Sequence, residues 1–246
     1  MTGGRVYLGY ELLRTFRNRR FFIFSLGFPL VIYFLIAGPN RHEHDLRQTG
    51  VSAPLYFMIS LATFGAMNAM LSSGARIAGE RSVGWQRQLR ISPLSTRVYF
   101  RTKVLTGYVM ALAAICLLYL AGTTLGVRLS AGTWLHMTEL LLVGLVPFAA
   151  LGIFMGHMLT PDSIGPAMGG TTALLGLLGG TWFPIAAHGA MHDVAQALPS
   201  YWLVQASRVA IGGNGWGGKG WAVLAAWTVV FAALAAHAYR QDTERV

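Results

Sequence analysis

The chain has few charged residues for its length, and this scarcity already excludes several classes of protein. Asp, Glu, Lys and Arg make up 11% of the 246 residues, against about 25% in ordinary soluble domains. Disordered chains combine high charge with few apolar residues, whereas 54% of the residues here are apolar. A single cysteine also excludes a disulfide scaffold, which needs cysteine pairs. This composition predicts a protein whose solvent is the lipid bilayer.

Six stretches of the chain contain no Asp, Glu, Lys or Arg and are long enough to cross a bilayer. A hydrocarbon core of about 30 Å needs about 20 apolar residues in a helix that rises about 1.5 Å per residue. The predicted spans cover about residues 21–38, 51–74, 104–127, 140–160, 164–187 and 221–239. Buried helices of a soluble protein are the alternative, but six of them would leave almost no water-facing surface. We therefore predict an all-α, polytopic membrane protein with one transmembrane domain over residues 1–246.

The basic residues predict the orientation of these spans. Five arginines precede the first span, seven basic residues lie in the connection after the second, and two follow the last, which places fourteen of the 19 on one side. Positively charged connections stay in the cytoplasm, so both termini are expected there, in a multi-pass protein of the cell membrane. Topology therefore accounts for the net charge of +10, and no nucleic-acid partner is needed to explain it.

The N-terminal leader has helical periodicity as well as charge. Leu8, Leu12 and Phe16 recur at intervals of four residues, while the arginines fall on another side. This pattern predicts an amphipathic helix that lies along the inner membrane surface and leads into the first span. A solvated basic leader is the alternative.

The connection over residues 75–103 is long for a link between antiparallel helices, and Pro93 divides it. In its first half Trp85 and Leu89 share one side of a helix and Val83 lies on another. A short, charged helix that projects into the cytosol is suited to docking another protein. A solvated topology signal would explain the arginines of this connection but not its Gly, Trp, Leu and Pro residues.

The same connection has a pattern of spaced residues that continues into the third apolar run: Glu80, Arg81, Gly84, Leu89, Arg90, Pro93, Leu94, Ser95, Tyr99 and Lys103. This pattern resembles the segment after the second span in permeases of the type-2 ABC (ABC-2) exporter family. The leader that runs into Phe28-Pro29-Leu30 is similar to the family's entry helix. Gly179-Gly180-x-x-Phe183-Pro184 resembles its segment between the fifth and sixth spans. One departure is that Gly84 to Arg87 contains no acidic residue, where family members often have one.

The resemblance implies a half-channel that pairs with a second permease copy or a homologous permease, and with a separate ABC ATPase subunit. It also implies that the connection contains a cytosolic coupling helix. The residues expected to couple to the ATPase are Glu80, Arg81, Gly84, Leu89, Arg90, Pro93 and Leu94. In the external segment 188–218 it implies short re-entrant or interfacial helices.

The sequence contains no P-loop, GxxxxGK[ST], and so has no motif for cradling ATP phosphates. ATP and Mg²⁺ are therefore expected on the partner ATPase, with no cofactor on this chain and no enzymatic activity of its own. The resemblance implies export, as in multidrug efflux.

Candidate substrate contacts follow from the resemblance too, because the second and fifth spans tend to line the path in that family. They are Phe57, Phe64, Asn68, Thr171 and Leu175. Packing between helices explains these residues equally well. A mostly apolar lining predicts a lipophilic or amphipathic cargo, such as a drug-like molecule, an antibiotic or a lipid.

His188, His192 and Asp193 stand close together in the external segment and invite comparison with a zinc site. The segment has no HExxH motif and no identified fourth ligand, so wetted interfacial histidines are the preferred interpretation and no metal is expected.

Two other functions compete with the permease. A structural or assembly membrane protein could use the same basic connection to dock a cytosolic partner that is not an ATPase. An intramembrane enzyme would need a buried nucleophile or paired carboxylates, and the sequence lacks GxSxG.

Overall fold

The computed structural model describes residues 2–43, 45–46, 50–85, 88, 91, 94–186, 188–213 and 215–244, and its regular structure over these ranges is entirely helical. The elements, in chain order, are α1 (Thr2–Phe16), α2 (Arg19–Phe22), a π-helical turn (Ile23–Gly27), α3 (Phe28–Ala37), α4 (Ala53–Ser82), α5 (Thr96–Thr124), α6 (Ala131–Gly144), α7 (Val146–Met158), α8 (Pro161–Leu178), α9 (Ala190–Gln196), α10 (Pro199–Gln205), a 3₁₀ helix (Ala206–Ile211) and α11 (Gly218–Glu244).

Four helical stretches among the described residues are long and apolar enough to cross a membrane. They are Ala53–Ser82, Thr96–Thr124, Ala131–Met158 and Gly218–Asp242, and they confirm the second, third, fourth and sixth apolar runs as candidate spans. The first and fifth runs do not meet that criterion. The first is divided by the π-helical turn and leaves a shorter apolar helix at Ser25–Ala37, and the fifth loses its helix after Leu178. A count of six is therefore not established by helix length and apolarity.

Two helices extend further into the connection 75–103 than the apolar runs predict. The second run ends at Gly74, but α4 continues to Ser82, and α5 begins at Thr96, eight residues before the third run. The Ser95 side chain caps α5 by accepting a hydrogen bond from the backbone N–H of Val98. Regular helix therefore covers much of the predicted connection 75–103, and charged residues near its two ends lie on the long helices themselves.

Helix α4 is the centre of the bundle and is buried along nearly all of its length. Glycine lets α7 cross it at backbone contact: a Cβ on Gly74 would overlap the backbone of Gly152 and Ile153, and one on Gly152 would lie 2.8 Å from the carbonyl oxygen of Leu71. Close approach of small residues is the usual way that helices associate in a bilayer, where burial of apolar side chains gives little driving force.

Candidate functional site

A buried ion cluster joins three helices at the end of α4 that leads into the connection between α4 and α5. The ammonium of Lys103 on α5 lies 2.6 Å from a carboxylate oxygen of Glu11 on α1 and 2.5 Å from one of Glu80 on α4. The side chains of all three residues are almost completely buried, and that of Lys103 has no exposed surface. The contacts with oppositely charged groups offset the desolvation cost of burying each charge.

A second set of contacts surrounds this triad. Tyr99 donates a 2.5 Å hydrogen bond to the other oxygen of Glu80, and Arg14 lies 3.0 Å from the oxygen that also contacts Lys103. Arg76 lies 3.9 Å from Glu11 and donates a hydrogen bond to the hydroxyl of Thr15. Among the described side chains, three cations thus contact two carboxylates, so these five groups together carry one excess positive charge.

The N-terminal helix faces this cluster with a different side from the one that the sequence predicts. Glu11 and Thr15 are buried on it, whereas Phe16 of the expected apolar row is 48% exposed. The side chain of Tyr7, one turn before Glu11, has a pKa raised above its ordinary value, first by burial and then by the carboxylates of Glu80 and Glu11. Ionic contacts of Glu11 thus help to hold α1 against α4 and α5, together with the ring contact between Tyr7 and Tyr99.

A smaller ion cluster ties the end of α4 to the last helix. Arg81 lies 2.6 Å from Asp242 on α11, and the other carboxylate oxygen of Asp242 lies 2.9 Å from Nδ1 of His157 on α7. Arg81 also approaches the carbonyl oxygens of Gly156 and Leu159 at 3.4 and 3.5 Å. The last turn of α4 is thereby fixed to α7 and α11 as well as to α1 and α5.

An open cavity of about 890 Å³ lies beside the larger cluster, between the N-terminal region, α4 and α8. Arg14 and Arg76 form part of its wall, and Phe28, Phe64 and Trp182 form an aromatic part. Its volume falls within the range of about 300–1,000 Å³ that is usual for sites of small molecules. The wall therefore combines cationic and aromatic side chains around a space large enough for a small molecule.

Comparison with known proteins assigns this architecture to a family. The model of the family described as ABC-2 type transporter matches residues 5–211. The chain belongs to the ABC-2 type transporter family. A relative from Bacillus subtilis (strain 168), named "Putative transport permease YvfS", is 26% identical over 236 residues, which cover 94% of this chain and 95% of the relative. No solved structure matches the chain.

Family membership makes the chain a membrane permease subunit of an ABC transporter, a class of transport protein that is in general not itself an enzyme. The long apolar helices agree with a multi-pass membrane protein. The resemblance noted in the sequence is thereby confirmed at the level of the ABC-2 permease.

The residues predicted to couple this ABC-2 permease to an ATPase lie in three settings. Glu80 and Arg81 belong to the two ion clusters, so their side chains are engaged within the chain. Gly84, with a φ of 71°, turns the backbone after α4, and Leu94 is half-buried just before α5. The other three predicted residues, Leu89, Arg90 and Pro93, lie outside the described residues. Their coupling role stays a prediction.

The predicted substrate contacts are only partly brought together. Phe64 and Asn68 line the cavity, whereas Phe57 is buried in the hydrophobic core. Thr171 and Leu175 do not line it. Their neighbour Thr172 does, and its hydroxyl lies 3.3 Å from Oδ1 of Asn68. The register of α8 relative to α4 decides which threonine faces the cavity.

Sequence reasoning missed the partners that make the two ion clusters. Lys103 was counted as one of the basic residues that set topology, yet its side chain is completely buried. A signal was available: Glu11 and Glu80 are acidic residues in otherwise basic segments, and an isolated acidic residue there suggests a specific partner.

The described residues of segment 188–218, predicted to be external, include α9, α10 and the 3₁₀ helix. His192 contacts the side chain of Gln196 one turn later at 2.5 Å, and Lys219 donates a hydrogen bond to the same glutamine. Across the described ranges, no three His, Cys, Asp or Glu side chains lie close enough together to hold a metal ion.

The buried triad leads to a stability prediction. Replacing Lys103 by Met leaves Glu11 and Glu80 buried, close together and without their shared cation, which should cost about 3–5 kcal/mol. The protein in detergent should then unfold at a clearly lower temperature, as measured by size-exclusion chromatography after heating.

Arg101→Met is the matched control, because Arg101 is an exposed cation on the same helix. This variant should change the unfolding temperature little. Adding Glu11→Gln and Glu80→Gln to the Lys103→Met chain should recover part of the loss. A Lys103→Met chain as stable as the control would contradict the assigned contacts.

Proposed function

We propose that this ABC-2 permease is the membrane-spanning subunit of an exporter that moves a lipophilic or amphipathic compound out of the cell. The observation that carries the proposal is the family match over residues 5–211. The open cavity beside α4, which has a partly aromatic wall, supports a cargo of this kind. Because the sequence has no P-loop, ATP and Mg²⁺ are assigned to a separate ATPase subunit.

The proposed topology has six spans with both termini in the cytoplasm. Two spans are added to the four long apolar helices. One uses the continuous helical residues 19–37, and the other uses α8, whose 18 residues extend about 27 Å in an α-helix. The excess of basic residues before the first span and after the second supports this orientation in the cell membrane.

The topology predicts where reporters will be active. An alkaline phosphatase fused after residue 45 should fold outside the membrane and be active, whereas one fused after residue 90 should stay in the cytoplasm and be inactive. A green fluorescent protein fused at the same two positions should give the opposite pattern. Activity of both phosphatase fusions would overturn the orientation.

The proposed ATPase contact is the connection between α4 and α5. Val83, next to the helix end that Glu80 and Arg81 anchor, is 75% exposed, and Ile91 further along the connection is 89% exposed. Both apolar side chains are available for contact with a partner. Closure of the ATPases on ATP would move this connection, and the anchored end of α4 would transmit the movement as a rigid body.

This contact predicts a selective loss of the partner. Ile91→Glu should abolish recovery of the ATPase with the affinity-tagged permease from native membranes while leaving insertion unchanged, because it places a charge in an apolar contact. Gln88→Glu is the matched control: it adds the same charge at an exposed polar position of the same connection and should retain the ATPase. Equal recovery from both variants would contradict docking at this surface. Recovery of a partner with no ATPase activity would favour an assembly role.

A second permease copy, or a homologous permease, completes the proposed exporter. Helix α8 supports this, because Leu174 and Leu177 on it are 60% and 50% exposed, beyond the wall that it contributes to the cavity. A second permease would pack against this exposed face of α8.

A further inference from the structure

The cavity wall changes from aromatic to cationic along one side of α4. Phe64, Asn68, Ser72 and Arg76 occur at intervals of four residues, and all four line the cavity. Twelve residues of α-helix separate the first of them from the last, a distance of about 18 Å. The change from aromatic to cationic side chains therefore extends over about the length of a small amphipathic molecule.

The apolar end of this gradient is a defined aromatic group. The ring centroids of Phe64 and Trp182 are 5.1 Å apart, and Phe28 lies 6.1 Å from the first and 6.2 Å from the second. All three line the cavity. Their tilted and edge-on packing gives a wall that can bury an aromatic or aliphatic body.

The polar end has two arginines, and no acidic side chain is found among the described residues that line the cavity. The carboxylates that pair with Arg14 and Arg76 lie behind them in the ion cluster, with exposed side-chain fractions of only 3% and 4%. These contacts hold both guanidinium groups in place, and the side chain of Arg14 is 62% exposed. The cations rather than the carboxylates are therefore presented to the cavity.

The excess positive charge of the cluster has a consequence for binding. A charge beside an apolar wall acts through a lower effective dielectric constant than in water, so its attraction for an anion and its repulsion of a cation are both strengthened. Two guanidinium groups also match the geometry of a carboxylate, phosphate or sulfonate, to which arginine donates paired hydrogen bonds.

We propose that the cavity binds an anionic amphiphile, with its acidic group at Arg14 and Arg76 and its apolar body against Phe28, Phe64 and Trp182. The proposal deepens the proposed permease function. It rests on that function only for the further step that the bound amphiphile is the compound transported. The binding site itself depends only on the cavity wall.

The test uses three probes with the same twelve-carbon chain: laurate, dodecanol and dodecylamine. The full-length chain in nanodiscs of phosphatidylcholine, without ATP or any partner, should bind radiolabelled laurate saturably. Its affinity for laurate should be at least about tenfold higher than for dodecanol, as charge-assisted hydrogen bonds would give, and dodecylamine should bind most weakly. Equal affinities for the three probes would overturn the proposal.

Two pairs of variants locate the binding. Arg14→Gln should reduce laurate affinity to the level of dodecanol, whereas Arg5→Gln, on the exposed side of the same helix and away from the cavity, should leave it unchanged. Gly169→Phe should narrow the cavity and weaken the binding of laurate and dodecanol alike. Gly170→Phe is its control, because Gly170 does not line the cavity and an added Cβ meets nothing within 4 Å at either glycine. Unchanged binding in both test variants would overturn the assignment.

A repeat in nanodiscs that contain phosphatidylglycerol separates two sources of the same chemistry. Lower laurate binding there would assign the anion site to a membrane lipid, and unchanged binding would assign it to a single-chain amphiphile; both outcomes support an anion site. The results also distinguish the binding site from the proposed transport function. Charge-selective binding of laurate without any ATP-driven transport would contradict the transport function but not the anion site. ATP-driven transport of a neutral compound, with laurate bound no better than dodecanol, would contradict the anion site but not the transport function.

Discussion

The ammonium of Lys103 is fully buried, and the arrangement of the surrounding helices depends on how that charge is paired. Its two carboxylates come from different helices, Glu11 from α1 and Glu80 from α4, while Lys103 itself lies on α5. Removing α5 would leave Glu11 and Glu80 buried without the cation that they share, which costs several kcal/mol. The pairing therefore holds an N-terminal helix, which would otherwise lie loosely on the membrane surface, against the central hairpin of α4 and α5.

Helix α4 connects this constraint to the proposed transport path. Its last turn is held by Glu80 and Arg81, and the same helix presents Phe64 and Arg76 to the cavity. The close crossing with α7 at Gly74 leaves little room for α4 to slide past its neighbour. Because α4 both ends at this connection and lines the cavity, a movement of the connection would be passed to the cavity wall through a helix that is packed along nearly all of its length.

The sequence predicted the helical class, four of the long apolar helices and the family, because apolar runs without charge and short motifs are local signals. It could not predict the pairing of Glu11 with Lys103, which are far apart in the chain and meet only when α1 packs onto α5. The same limit explains why Thr172, rather than Thr171, faces the cavity: one residue turns a helix by about 100°, and tertiary packing sets the register. The two arginines of the cavity wall, Arg14 and Arg76, were interpreted as topology signals, because the position of a basic residue in the sequence predicts its side of the membrane but not its neighbours.

The most direct test of the account is ATP-dependent transport by the permease together with the ATPase that co-purifies with it. Reconstituted as inside-out vesicles, the pair should accumulate an amphipathic compound when ATP is added, and the permease without the ATPase should accumulate none. Absence of any ATP-hydrolysing partner in the purified complex, together with no ATP-dependent accumulation, would contradict the account.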